Sequence, residues 1–248
     1  MTDGARYDRF GWDYERFNPL GARALAWYLD HARPAGGAIL ELACGTGRLL
    51  AALAADGHEV VGLDLSETML RQARERLGDA ATLVQGDMRS FALDRSFALA
   101  IIADNSLREI ESEEVIVACL DCVRRHLQPD GRLLVTERRF DASRYPNGVA
   151  EHDWSPAGRD PTTGEAVERR VRVRLDARRR RLYGTMTYRA VGGAEAADLA
   201  FESVVLRPEE YAPLFASAGF DAELFVGYEA RPDDGVEPHL CFVCTPRA

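Results

Sequence analysis

Glu41, Gly45, Gly47 and Asp64 are the residues whose types and spacing point most directly to chemistry. Glu41 lies in the apolar run Ile39-Leu40-Glu41-Leu42. Ala43-Cys44-Gly45-Thr46-Gly47 follows as a turn ahead of the helix-prone Leu49–Ala55. Strand, glycine turn and helix in that order let backbone lie against a ligand, because a residue without Cβ takes positive φ. A second apolar run, Glu59–Leu63, ends at Asp64, 17 residues past Gly47 (64 − 47). A carboxylate at that strand end accepts both hydroxyls of a ribose. The chemistry implied is nucleoside binding. A dinucleotide fingerprint would need a third glycine where Leu50 stands. Glu41 would also repel a pyrophosphate and suit a cation.

Glu41-x-Ala43-Cys44-Gly45-Thr46-Gly47 followed by Asp64 resembles the cofactor loop of class I S-adenosylmethionine-dependent methyltransferases. The similarity spans roughly residues 36–137, with a closing segment at 207–246. Most members of that superfamily carry Gly where this chain has Ala43, and Ala still leaves room for the cofactor's amino-acid end. The resemblance implies that Glu41, Ala43 and Gly45 face the cationic sulfonium amino acid and Asp64 the ribose. It places Leu65 and Met69 as one wall against adenine, with plain core packing an open alternative for Met69. Asp87 would accept from the adenine amino group, while Met88 supplies a backbone donor and an apolar wall. Asp104 falls close to the transferring methyl. The aromatic-rich Tyr7-Asp-Arg-Phe-Gly-Trp-Asp-Tyr14 resembles a lid segment that folds over cofactor and substrate. Tyr7 and Tyr14 would then face the ligand, or else anchor the terminus.

The elements that must position these residues are legible in outline. Leu20–Ala32 reads as a helix stopped before Pro34, and Ser66 as the N-cap of a helix over Glu67–Leu77. Ala81–Gln85 and Ser96–Ala103 read as the third and fourth strands, the latter apolar enough to be buried on both faces. Glu111–Leu127 is an amphipathic helix stopping at a Gln128-Pro129-Asp130-Gly131 turn, before a fifth strand Arg132–Thr136 that ends at Glu137. Pro208 opens a helix over Glu209–Ala218 that Gly219 stops, and Phe220–Tyr228 with His239–Thr245 form a final antiparallel pair. Between Phe140 and Leu206 helical periodicity gives way to alternation, with three or four antiparallel strands expected, three of them at Val171–Leu175, Leu182–Val191 and Ala200–Leu206.

The expected fold is therefore α/β: a Rossmann-like, seven-stranded, mostly parallel sheet with a reversed last strand. An antiparallel β insertion between the fifth and sixth strands and an N-terminal lid complete it. The divisions are residues 1–35 for lid and helix, 36–140 with 207–248 for the S-adenosylmethionine-binding core, and 141–206 for a substrate-covering insertion.

The chain's 248 residues, 46% hydrophobic and 29% charged, suit one elaborated globular domain without a bilayer-spanning run. Its start has no signal-peptide pattern, so a cytoplasmic location is expected. All 31 basic residues are arginine and the net charge is −9, which disfavours a general nucleic-acid binder. Eight arginines between 168 and 181 include Arg172 and Arg174, which alternate with Val171, Val173 and Leu175 as on a solvated strand face. An acidic partner is the other reading of that tract. Of the five cysteines, Cys119/Cys122 and Cys241/Cys244 form two C-x-x-C pairs too far apart for a compact zinc ribbon. They are read as buried small hydrophobes, and no metal is expected.

His152, in His152-Asp153-Trp154 at the start of the insertion, is the candidate general base, with Asp104 and Glu137 behind it. The loop after the fourth strand lacks the Asn/Asp-Pro-Pro-Tyr pattern of enzymes that methylate nucleobase amines. The expected function is methyl transfer from S-adenosylmethionine to an O or N atom of a small molecule. A protein of this fold that binds the cofactor without methylating, and an RNA-modifying enzyme, are the alternatives. The expected partner is a small-molecule substrate, not a membrane or nucleic acid, with a homodimer left open.

Overall fold

The computed structural model describes residues 20–159, 164–193 and 195–247. The lid residues Tyr7 and Tyr14 lie outside the described residues. The rest divides into two units, one of Leu20–Phe140 with Leu206–Ala248 and one that contains Asp141–Val205.

The first unit is built on a seven-stranded sheet: β1 (Ile39–Leu42), β2 (Val60–Asp64), β3 (Ala81–Gln85), β4 (Phe97–Ile102), β5 (Leu127–Arg138), β10 (Phe220–Val226) and β11 (His239–Pro246). Their order is β10-β11-β5-β4-β1-β2-β3. β1 pairs in parallel with both β2 and β4, and β11 runs antiparallel to β5 and β10. The expected reversed last strand is thus slotted between the fifth and sixth. Chain order reverses direction across the sheet at β1/β4, the switch point outside which ligands settle in open α/β sheets. β1 and β4 are buried along their whole lengths, as a central parallel strand covered on both faces requires.

Helices α1 (Ala22–Ala32), α2 (Arg48–Ala55), α3 (Glu67–Leu77), α4 (Glu113–Arg125) and α5 (Pro208–Ser217) complete this unit. Ser66 caps α3 by accepting from the Met69 N–H at 3.2 Å. Ser112 caps α4 by accepting from Val115, which shortens the helix expected from Glu111. Trp27 and Tyr28 of α1, Leu49, Leu50 and Leu53 of α2, and Leu70, Ala73 and Leu77 of α3 join one apolar core. The turn expected at 128–131 falls inside β5, where the pairing with β4 shifts register. Leu127 pairs with Phe97, and the next partners are Arg132 and Leu99. Extra residues on one strand of a pair bend it without ending it, which is why the Pro-x-Gly sequence reads as a turn.

The second unit holds an antiparallel sheet of β6 (Val149–Arg159), β7 (Ala166–Asp176), β8 (Arg181–Ala190) and β9 (Glu195–Val204), in that order. Four strands lie within the expected three or four, and β6 is the one without a position read from the sequence. It carries Pro156 and Gly158 and breaks register twice against β7, irregularities that an edge strand tolerates. Leu206 belongs to the first unit, and β9 ends two residues before it at Val204.

Candidate active site

The glycine turn hangs on the C-terminal ends of β1 and β2. Cys44 N–H donates to Leu63 O (3.1 Å) and Gly47 N–H to Cys44 O (3.0 Å), closing the turn. Gly45 takes φ 54° and Gly47, the α2 N-cap, φ 74°. A Cβ on Gly47 would lie 2.7 Å from Leu77 Cδ1, whereas one on Gly45 would meet nothing within 4 Å. Gly47 is therefore needed for packing against α3, and Gly45 leaves its open side to a ligand. Ala43 also has positive φ, 53°, so it holds a conformation the family's usual glycine adopts without strain. Arg76 of α3 ties the turn down by donating to Thr46 O at 2.8 Å.

Asp64 joins the two strand ends. Its Oδ2 accepts from Gly45 N–H (2.7 Å) and its Oδ1 from Ser66 N–H (2.8 Å). Glu41, one register step inside β1, is buried to 5% exposure, and its Oε2 has no hydrogen-bond partner. Burial pushes the Glu41 carboxyl up to about 8; Arg48 pulls it down, while Asp64 and Asp104 push it further up.

The nucleobase side is less regular than expected. Leu65 is half-buried, and Met69 is only 2% exposed, as core packing would have it. Asp87 is gripped by its own neighbour: Arg89 Nε lies 2.9 Å from both carboxylate oxygens. Arg89 also reaches Glu111 at 2.8 Å. Burial tends to raise the Asp87 carboxyl, but the Arg89 hydrogen bonds outweigh this and hold it below the usual range. Met88 is half-buried; its carbonyl accepts from the Cys119 thiol at 3.0 Å, and Phe91 O accepts from Cys122 at 3.3 Å. The C-x-x-C of α4 therefore braces this loop with both thiols. Cys241 and Cys244 are fully buried in β11.

At the end of β4, Asp104 (φ 57°) and Asn105 (φ 70°) are consecutive left-handed residues. The Asp104 side chain is 57% exposed, with Oδ2 3.6 Å from Arg48. Thr136 Oγ1 accepts from Asp104 N–H (3.1 Å), and it shares a 2.6 Å hydrogen bond with the Tyr28 hydroxyl. Glu137 is buried against Arg108 (2.6 Å). Desolvation raises its carboxyl to about 7, with Arg108 opposing. Tyr28, Asn105 and Arg108 were not singled out in the sequence, where their types carry no motif.

His152 belongs to the antiparallel unit, exposed on edge strand β6 and paired in register with Val171. Nearby, Trp154 is covered by guanidiniums of Arg170 (4.8 Å) and Arg189 (3.7 Å). Arg172 and Arg174 are exposed and Val173 is buried, so the strand-face alternation holds. Arg174 stacks on Tyr183, and Arg181 pairs with Glu202 at 2.7 Å. These arginines are spent on their own sheet, which weakens the acidic-partner reading. No group of three or more His, Cys, Asp or Glu suited to a metal occurs among the described residues. No helix of the described residues is long and apolar enough to cross a membrane.

The unpaired buried oxygen of Glu41 and the open side of Gly45 fit a cationic amino acid end, and Asp64 beside them fits a ribose. Comparison with known proteins points to the methyltransferases. A family described as "Methyltransferase domain" matches residues 39–131. The chain is 31% identical over 194 residues to the dTDP-3-amino-3,4,6-trideoxy-alpha-D-glucopyranose N,N-dimethyltransferase of Streptomyces venezuelae, covering 78% of this chain and 79% of that one. Its fold matches that of the CcbJ methyltransferase from Streptomyces caelestis with a TM-score of 0.85 over 100% of both chains, at 20% identity. It also matches CalS10, an amino pentose methyltransferase from Micromonospora echinaspora solved with S-adenosylmethionine bound. That likeness has a TM-score of 0.70 at 26% identity, over 90% of this chain and 89% of that one.

Proposed function

Because the chain belongs to the class I S-adenosylmethionine-dependent methyltransferases, we infer that it methylates a nitrogen atom of a small molecule such as an amino sugar. The observation that carries this reading is similarity to an amino-sugar N,N-dimethyltransferase extending over 78% of the chain, far beyond the cofactor-binding segment.

S-adenosylmethionine supplies an electrophilic methyl on a sulfonium. In this reading Glu41, Ala43 and Gly45 receive its amino-acid end, with Asp64 at the ribose and Leu65, Asp87 and Met88 around the base. Asp104 stands at the methyl-transfer end. Asp87 would share its carboxylate between Arg89 and the base amine, a division open to it because a carboxylate has about four acceptor sites. The chain's contribution is orientation and the exclusion of water, which together supply several kcal/mol of the barrier. A neutral amine needs no general base to attack, so an exposed His152 is not required for it. An alcohol acceptor would need a base.

The test is incubation of the purified chain with methyl-labelled S-adenosylmethionine and a panel of amino sugars, simple amines, phenols and neutral sugars, read by mass spectrometry. Label on an amine supports the reading. Label confined to hydroxyl acceptors overturns it.

A further inference from the structure

Asp104 and Asn105 share a left-handed backbone that L side chains keep only where the surroundings over-determine it. Here the surroundings do. Asn105 N–H donates to Thr136 O (3.0 Å), and Asp104 N–H to Thr136 Oγ1 (3.1 Å). Asn105 Oδ1 accepts from Arg138 N–H (2.6 Å) and from Arg108 Nη2 (2.9 Å). Arg108 Nε in turn donates to Glu137 Oε2 at 2.6 Å, with the two side chains 9% and 0% exposed. The C-terminal ends of the adjacent β4 and β5 are thus stitched together by a buried ion pair, three backbone amides and one amide side chain. A buried ion pair is weak evidence for stability, since desolvation offsets most of its attraction. What this one fixes is the backbone that carries a single exposed group, the Asp104 carboxylate, at the switch point of the sheet, with Arg48 3.6 Å from its Oδ2.

We propose that Asp104 is the acceptor-recognising carboxylate of the transfer reaction, selecting a basic amine, and that Asn105, Arg108 and Glu137 are its positioning residues. This rests on the amine reading above. During transfer the nitrogen–carbon bond forms as the sulfur–carbon bond breaks, with the bond's electron pair going to sulfur. Positive charge leaves the sulfonium and appears on nitrogen, and the nitrogen's proton then passes to water. A carboxylate held beside the nitrogen interacts more strongly as that charge grows than with the neutral amine, so it favours the transition state. An alcohol or phenol becomes a good nucleophile by losing its proton, and Asp104 would repel the anion. The fixed carboxylate therefore discriminates between nitrogen and oxygen acceptors.

The experiment compares wild type with Asp104→Asn and Asn105→Gly on a dTDP-linked 3-aminohexose and the amine panel. Cofactor affinity is measured by calorimetry and stability by thermal unfolding. Asp104→Asn should lower kcat/KM for the amine ~100-fold, while S-adenosylmethionine affinity stays within ~3-fold. Asn105→Gly keeps the left-handed backbone but removes the shared acceptor. The left-handed glycine offsets part of the two lost hydrogen bonds, so this variant should unfold somewhat earlier than wild type, remain folded and bind the cofactor equally at assay temperature, and lose ~10-fold in kcat. A purely structural Asn105 would instead leave kcat per folded, cofactor-bound molecule at the wild-type value. If Asp104→Asn matches wild type on the amine, or loses cofactor binding in parallel with activity, the assignment is wrong. Asn105→Gly turning over like wild type overturns the positioning role. A wild type that binds S-adenosylmethionine but methylates no amine overturns the amine reading itself, a distinct failure.

Discussion

Glu41→Gln tests the cofactor site at its most unusual group. Burial raises the Glu41 carboxyl to about 8, and the cation it is proposed to hold requires the ionised form. Between pH ~6.0 and ~7.5 the ionised fraction climbs from about 1% to about 24%, so the association constant for S-adenosylmethionine should rise roughly 20-fold. Binding at the acid end should release about one proton per cofactor, because the site must ionise before it pairs. Calorimetric titrations in two buffers of different ionisation enthalpy count that proton. Glu41→Gln should flatten the pH profile and abolish the proton release while weakening binding at the alkaline end. The ligand-free protein carries the converse signature. A carboxyl raised from 4.5 to about 8 keeps its proton in the folded chain after the unfolded chain has lost its own. Its contribution to stability is therefore complete below about pH 4.5 and is lost as pH rises through about 8. Glu137, raised to about 7, adds to that decline over the lower part of the window. Cofactor affinity that is flat over this pH range in wild type, or a slope that survives in Glu41→Gln, would refute the reasoning.

Asp64→Ala removes the acceptor for Gly45 and Ser66 N–H groups. Thermal unfolding should show a loss of ~2 kcal/mol or more, and calorimetry should detect no cofactor binding. Met69→Ala separates core packing from an adenine wall: at 2% exposure the substitution should cost ~2–5 kcal/mol of stability. Cofactor affinity of the folded variant should be unchanged, and a selective loss of affinity would restore the wall. Ala43→Gly relieves φ 53° but frees the unfolded chain, so denaturant unfolding should show a gain of at most ~1 kcal/mol. A marked destabilisation would mean the Ala43 methyl packs where the backbone geometry gives it no need to.

What was legible in the sequence is what local chemistry dictates. The Gly45/Gly47 turn, the Ser66 cap and the strand ending at Asp64 each announce themselves in a few consecutive residues, and their bounds moved by a residue or two at most. β6 escaped because Pro156 and Gly158 break alternation in a strand that only an edge position tolerates. The 128–131 segment keeps its turn residues but lies within β5, because strand pairing holds on both sides of it. The Asn105–Arg108–Glu137 chain was invisible for a different reason: it joins Arg108 to a residue 29 positions away, and only the β4/β5 pairing makes them neighbours. Asp87 and Met69 are the positions where local sequence says least. Arg89, two residues on from Asp87, also grips that carboxylate, and a methionine at helical spacing suits a core and an adenine wall alike.

The central claim is transfer of a methyl group from S-adenosylmethionine to nitrogen. Its most direct test is a matched pair of acceptors, a dTDP-linked 3-aminohexose and the same sugar with a 3-hydroxyl, each incubated with a deuteromethyl-labelled donor and followed by mass spectrometry and NMR. The account predicts one or two labelled methyls on the amine nitrogen, stoichiometric S-adenosylhomocysteine, and no label on the hydroxyl sugar. Label on the hydroxyl sugar with the amine untouched would contradict it.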